Sequence, residues 1–144
     1  MIGVSRCLCG DCCSYRGDSN LRERFQLMDK EGKVVKICPE VMGGLPTPRV
    51  PAEIVSEMPL TVMTKDGRDV TQEFVMGARV ALAILKMHHI KTVVLKSRSP
   101  SCGCGTIYDG TFSSTVIKGN GVFARMCLKE GITVYNEDNY VEDI

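Results

Sequence analysis

Short apolar runs alternate along the chain with stretches whose apolar residues recur at helical spacing. Residues 2–5 form the first run, beginning almost at the first residue. Residues 33–37 (Lys-Val-Val-Lys-Ile), 90–97 (β-branched as far as Leu95) and 132–135 repeat the type. Runs this short, rich in Val and Ile and bounded by turn residues, read as buried strands. Three helices are predicted between them. The first covers 21–28, with Ser19 or Asn20 as its N-cap. The second runs from a cap at Asp69 or Thr71 to about His88; Asp69 and Gln72 have capping-box spacing, and Phe74, Ala78, Leu82 (or Ala81) and Leu85 form its buried face. The third covers 122–129, entered through Gly119-Asn120-Gly121 and stopped at Gly131. His88 and His89 fall where the helix dipole favours cations and read as cap residues.

The remaining segments are turns and loops. Glu31-Gly32 is a turn, and residues 60–71 read as a small hairpin about Asp66-Gly67. Residues 41–51, preceded by Pro39, hold Pro46, Pro48 and Pro51 and are expected to be an ordered loop rather than a helix. Residues 107–112 read as an irregular or β-turn segment, and the acidic tail from residue 136 as fraying. Strands alternating with helices predict an α/β fold: one domain over 1–144, a three-layer sandwich with a mostly parallel, Rossmann-like sheet. Its ligand site is expected at the carboxyl edge of the strands.

Composition narrows the function. The chain is 44% hydrophobic and 24% charged with a formal net charge of +1, so it carries no basic field for nucleic acid or a membrane surface. With four Phe, four Tyr and no Trp it offers no base-stacking platform. Its apolar runs are too short to span a membrane, and its first residues lack the pattern of a signal peptide. A cytoplasmic protein is expected. Eight cysteines in that compartment point to metal binding or catalysis more than to disulfides. Cys127, inside a helical pattern, reads as a small buried apolar residue.

Three predicted strands end in cysteine. The first delivers Cys7, the second Cys38, and the third Cys102 through Ser99-Pro100-Ser101-Cys102-Gly103. In a parallel sheet these thiols, far apart in sequence, meet at one edge. Three thiolates suit zinc with a fourth ligand, or three corners of an iron–sulfur cubane. Cys9-Gly10-Asp11-Cys12 has the spacing of a zinc knuckle, but no second knuckle mirrors it. Three ligands leave one iron open for Lewis-acid chemistry. Glu40 stands two residues after Cys38 behind a rigid proline and is a candidate general acid/base. Ser99 and Ser101 are candidate donors to a sulfide, a substrate or a water, or simply turn serines. Arg49 is expected either to hold an anionic substrate or to pair with Glu53.

These residues fall into long motifs. Cys7-Leu8-x-Gly10 with Tyr15-x-Gly17, Cys38-Pro39-Glu40-x-x-Gly43-Gly44-Leu45-Pro46-x-Pro48-Arg49, Asp69-Val70-Thr71, Ser99-Pro100-Ser101-Cys102-Gly103 and Tyr108-Asp109-Gly110-Thr111-Phe112 occur in order over nearly the whole chain. In this the chain resembles the thiouracil desulfidase family. The resemblance implies a 4Fe–4S cluster on Cys7, Cys38 and Cys102, with the fourth iron free to take a substrate's sulfur. It also implies a catalytic glutamate, Glu40, and a catalytic serine, Ser99 or Ser101, with Ser99 slightly favoured. The implied reaction is non-redox desulfidation of a small thiolated pyrimidine such as thiouracil to uracil and hydrogen sulfide. Cys9, Cys12, Cys13 and Cys104 are extra to the pattern and crowd two of the ligand loops. Two other classes stay open: a sulfur carrier or donor, and a non-catalytic zinc or redox-sensing module. Monomer or homo-oligomer is left open.

Overall fold

A computed structural model describes residues 1–141. Four strands, β1 (Ile2–Ser5), β2 (Val34–Ile37), β5 (Thr92–Leu95) and β8 (Thr133–Asn136), form the central sheet in the order β2-β1-β5-β8, every pair parallel. Helix α1 (Glu23–Lys30) connects β1 to β2, α3 (Thr71–Met87) lies between β2 and β5, and α4 (Val122–Lys129) joins β5 to β8. The α/β three-layer expectation holds.

The layers follow from the period-two alternation of the strands. Val4, Val34 and Val94 pack with Phe25 and Met28 of α1. Ile37, Val93 and Leu95 pack on the opposite side with Phe74, Ala78 and Leu85 of α3 and Phe123 of α4. Each fully buried Val, Leu, Ile or Phe among these contributes about 1.5–3 kcal/mol relative to exposure. The sheet order reverses between β1 and β5, because the chain moves outward to β2 and then returns to the other side of β1. In an open parallel sheet this reversal opens a crevice at the carboxyl ends of the strands. Among the described residues no helix is long and apolar enough to cross a membrane.

Several expectations are corrected. Residues 60–71 do turn back about Asp66-Gly67, with an antiparallel bridge from Met63 to Asp69 and the N–H groups of Thr64 and Val70 donating to the carbonyls of Arg68 (2.8 Å) and Val62 (2.9 Å), but the main partner of β4 (Leu60–Thr64) is β3 (Ala52–Glu57), antiparallel to it. Residues 52–57 carry the polar Glu53, Ser56 and Glu57, which hid their strand character. Val41 and Met42, expected in a loop, finish a one-turn helix α2 (Pro39–Met42), which Pro39 opens without losing a hydrogen bond. Helix α1 starts at Glu23 with Arg22 as N-cap, leaving Ser19 and Asn20 outside it. Asp69 makes no capping box; its carboxylate accepts the N–H and hydroxyl of Thr71. Residues 107–112 are partly regular, since β6 (Thr106–Tyr108) pairs with β7 (Val116–Lys118). The tail is ordered at least to Tyr140, which is buried against Phe25 and Tyr135. The part of the fraying expectation that concerns 142–144 lies outside the described residues. His88 is the C-cap of α3, as expected.

Candidate functional site

Each sequence-predicted cysteine emerges at the carboxyl edge by a different local device. Strand β1 runs into one 3-10 turn, Arg6–Cys9, which buries Cys7. Residues 20–22 fold back over it: Asn20 N–H donates to the Cys7 carbonyl at 3.0 Å, Arg22 N–H to that of Leu8 at 2.9 Å. Strand β2 ends at Cys38, the N-cap of α2. Helix α2 lies directly on α3 because two glycines face each other. A Cβ on Gly77 would fall 1.8 Å from the Pro39 carbonyl oxygen, and one on Gly43 2.0 Å from that of Glu73. This backbone-to-backbone contact sets Cys38 and Glu40.

Strand β5 exits through Lys96 and Ser97 into the Cys102 loop. The Ser99 hydroxyl oxygen accepts the N–H groups of Ser101 (3.1 Å) and Cys102 (3.0 Å), fixing the turn. The carbonyls of Pro100 and Ser101 accept the N–H groups of Val122 (2.9 Å), Phe123 (2.8 Å) and Ala124 (3.1 Å). The loop thus satisfies the free donors at the start of α4. No side chain fits at Gly121, where a Cβ would lie 2.5 Å from the Ser101 carbonyl. The Ser101 hydroxyl is fully buried and has no partner among the described residues.

The structure brings Cys7, Cys38 and Cys102 together, and adds Cys13. The Cys13 thiol hydrogen-bonds both Cys7 and Cys38, which draws Cys7 below its ordinary pKa and Cys38 down to about 7; Asn20 also bonds Cys7, and the Val41 N–H bonds Cys38. Cys13, as the proton holder between them, is pushed up. Cys102 is also raised, chiefly by burial, although the Ser5 hydroxyl bonds its sulfur. The other cysteines point elsewhere. Burial raises Cys9 to about 12 beside Asp29, Lys36 and Asp11; Cys12 is exposed; Cys104 neighbours Cys127, which burial raises to about 12. Among the described residues no three His, Cys, Asp or Glu side chains surround a single-ion position.

Glu40 pairs with Arg49 rather than Arg49 with Glu53. Arg49 also donates to the Cys13 carbonyl at 3.1 Å, tying the β1 loop to the proline-rich segment. Glu53 instead holds the loop after β6, accepting the N–H of Gly110 at 2.9 Å and of Phe112 at 3.3 Å. Glu40 and Arg49 line a cavity of about 210 Å³ with Arg68, Leu45, Val70 and Phe74. None of the cysteines lines it. Glu40 belongs to both places, since its charge also acts on Cys38 and Cys102. Sequence reasoning missed Asn20 and Ser5 as partners of the thiols, and the pairing of Arg49. Cys13 was visible as an extra cysteine, but only the fold separates it from Cys9, Cys12 and Cys104.

The family model described as 2-thiouracil desulfurase matches residues 2–139. YbbK of Bacillus subtilis (strain 168), described as uncharacterized, is 41% identical over 151 residues, covering 100% of this chain and 99% of that protein. Among solved structures, TudS, a 4Fe–4S-dependent thiouracil desulfidase, matches with a TM-score of 0.88 at 42% identity, over 95% of this chain and 90% of that chain.

Proposed function

The chain belongs to the 2-thiouracil desulfurase family, and on that premise we propose that it is an iron–sulfur enzyme that removes sulfur from small thiolated pyrimidines such as thiouracil. Water replaces sulfur: the thiocarbonyl and water become a carbonyl and hydrogen sulfide. Water supplies the oxygen and both protons, and no electrons are transferred. We place one such domain over residues 1–144, in a reducing cytoplasm where its eight free cysteines persist.

The residues fit a 4Fe–4S cluster. Cys7, Cys38 and Cys102 would hold it, the three thiols that separate strand exits bring to one buried edge. The unpartnered buried hydroxyl of Ser101, next to Cys102, supports the fit, because a buried hydroxyl without a partner costs free energy unless a further group meets it. When bound, a cluster with one iron free of protein thiolate supplies a Lewis acid that polarises a thiocarbonyl. Glu40 takes a proton from the attacking water and returns it to the departing sulfur. Arg49, buried at 7% side-chain exposure, orients the Glu40 carboxylate. Leu45, Val70 and Phe74 give the adjoining cavity apolar walls for a planar ring. Ser99 shapes the Cys102 turn, and Ser99 or Ser101 donates to the reacting group.

The observation that carries this reading is Glu40, which lines the cavity and is also electrostatically linked to Cys38 and Cys102. The test is anaerobic reconstitution of the full chain, followed by iron and sulfide analysis and an assay with thiouracil. Four irons per chain with uracil and sulfide in equal amounts is the expected result. Zinc without iron would replace the reading by a zinc or thiol-switch module. An intact cluster without turnover would replace it by a sulfur carrier.

A further inference from the structure

The fourth central strand ends at the same edge as the other three, and it too delivers a buried polar group. Glu137, the residue after β8, has a side chain only 1% exposed. Its carboxylate accepts the Ser97 N–H at 2.7 Å, the Ser97 hydroxyl at 3.1 Å and the Lys96 ammonium at 3.1 Å. Lys96 and Ser97 are the first residues beyond β5, on the segment that leads to Cys102. The Lys96 N–H donates to the Ser5 hydroxyl oxygen at 3.0 Å, and that hydroxyl bonds the Cys102 sulfur. The Lys96 charge also acts on Cys7, where it favours the thiolate. Burial opposes ionisation of Glu137, but the N–H groups of Glu137 and Ser97 and the Lys96 cation outweigh it, so its pKa is lowered.

A partly buried ion pair is a poor source of stability, since desolvation offsets most of the attraction. Lys86–Glu130 makes a similar pair in the open, between the far ends of α3 and α4. Lys96–Glu137 is held instead at the one edge where the cysteines meet, by three contacts from the Glu137 carboxylate onto two consecutive residues. On the reading of this edge as an iron–sulfur centre, we propose that Lys96 and Glu137 are its positioning residues: Glu137 locks the β5 exit leading to Cys102 and holds the Lys96 ammonium within electrostatic reach of Cys7, so that the pair sets the charge felt by the cluster.

The sign of the effect on the cluster's reduction potential separates this role from a merely structural one, because reduction adds negative charge. Full-length chains are reconstituted anaerobically, iron is counted, and the midpoint potential is read by magnetic resonance during reductive titration. Lys96→Met should lower the potential and Glu137→Gln should raise it, with the Gln carbonyl still accepting the Ser97 N–H. The double variant should return towards wild type, and Lys86→Met should leave the potential unchanged. Single-variant shifts of the same sign, or no shift in either, would overturn the proposal. If Lys96→Met loses iron, Lys96→Arg should restore both iron and potential, and its failure to do so would also overturn it. A wild-type chain that takes up no iron would overturn the iron–sulfur reading itself, and the proposal with it.

Discussion

The loops after β1 and β5 look alike in sequence: a strand, then cysteine among glycine, serine and other polar residues. The structure builds them in opposite ways. Around Cys7 the loop supplies donors from other side chains, with Cys13 and Asn20 both bonded to its sulfur. Around Cys102 the loop is a mould: its carbonyls are taken up by the start of α4, its turn is pinned by Ser99, and its thiol is fully enclosed. One loop therefore lowers the pKa of its thiol before any metal arrives, while in the other burial raises it. Metal must displace the proton at Cys102. The comparison teaches that a cysteine at a strand exit specifies a place, while the residues that fold over it decide its chemistry.

The strongest way to break the comparison is to remove each thiol in turn. Cys7→Ser, Cys38→Ser and Cys102→Ser should each lose most of the iron of anaerobically reconstituted protein. Cys9→Ser, Cys12→Ser and Cys104→Ser should keep it, since those thiols face other surroundings. Cys13→Ser is the informative case. It should also keep the iron, because Cys7, Cys38 and Cys102 remain and a hydroxyl can still donate its one proton to Cys7 or Cys38. Loss of iron there would make Cys13 a ligand and the site closed. Next in size is Glu40→Gln, which should retain the cluster and lower turnover of thiouracil by roughly a hundredfold or more, the scale of a general acid/base. Near-normal turnover would remove Glu40 from the mechanism.

The mould itself can be tested without the metal chemistry. Gly121→Ala places a methyl against the Ser101 carbonyl, which is backbone and cannot swing aside. Overpacking of this kind costs about 1–3 kcal/mol. Thermal unfolding should show the loss, and iron content should fall with it as the Cys102 loop shifts off α4. An unchanged melting temperature would mean that the loop has more freedom than its contacts with α4 imply.

Much of this was readable in the chain. The four parallel strands, the three long helices and the gathering of Cys7, Cys38 and Cys102 follow from apolar period and from the rule that parallel strands share an exit edge. What failed to show had no local signal. Residues 52–57 pair as a strand because β4 lies beside them, not because their own pattern alternates. Asn20 was expected to cap a helix, but the cap belongs to Arg22, and Asn20 turns to a thiol thirteen residues upstream. Glu137 sat in an acidic stretch expected to fray; only the packing of Tyr140 and the register of β8 on β5 bring it inside. Arg49 was expected to hold an anionic substrate or to pair with Glu53, and the fold of the proline-rich segment gives it Glu40 instead.

The smallest expected effect sharpens the comparison within one loop, between two serines that the sequence kept as alternatives with Ser99 slightly favoured. The Ser99 oxygen accepts two backbone N–H groups, so Ser99→Ala strands the donors of Ser101 and Cys102. Leaving buried donors unmet costs about 1–3 kcal/mol, and the loss should appear with or without iron. Among the described residues the Ser101 hydroxyl has no partner to lose. Before reconstitution, Ser101→Ala should therefore be neutral or slightly stabilising. After reconstitution the two variants should separate by kind. If Ser101 meets the cluster or the substrate, its alanine variant loses turnover or shifts the cluster potential at unchanged melting temperature before loading. If Ser99 is the donor, turnover falls with Ser99→Ala beyond what the stability loss explains, and Ser99→Thr restores it. Melting curves on the unloaded chain beside turnover on the loaded one assign the role, because only a group in contact with the chemistry can change the second without the first.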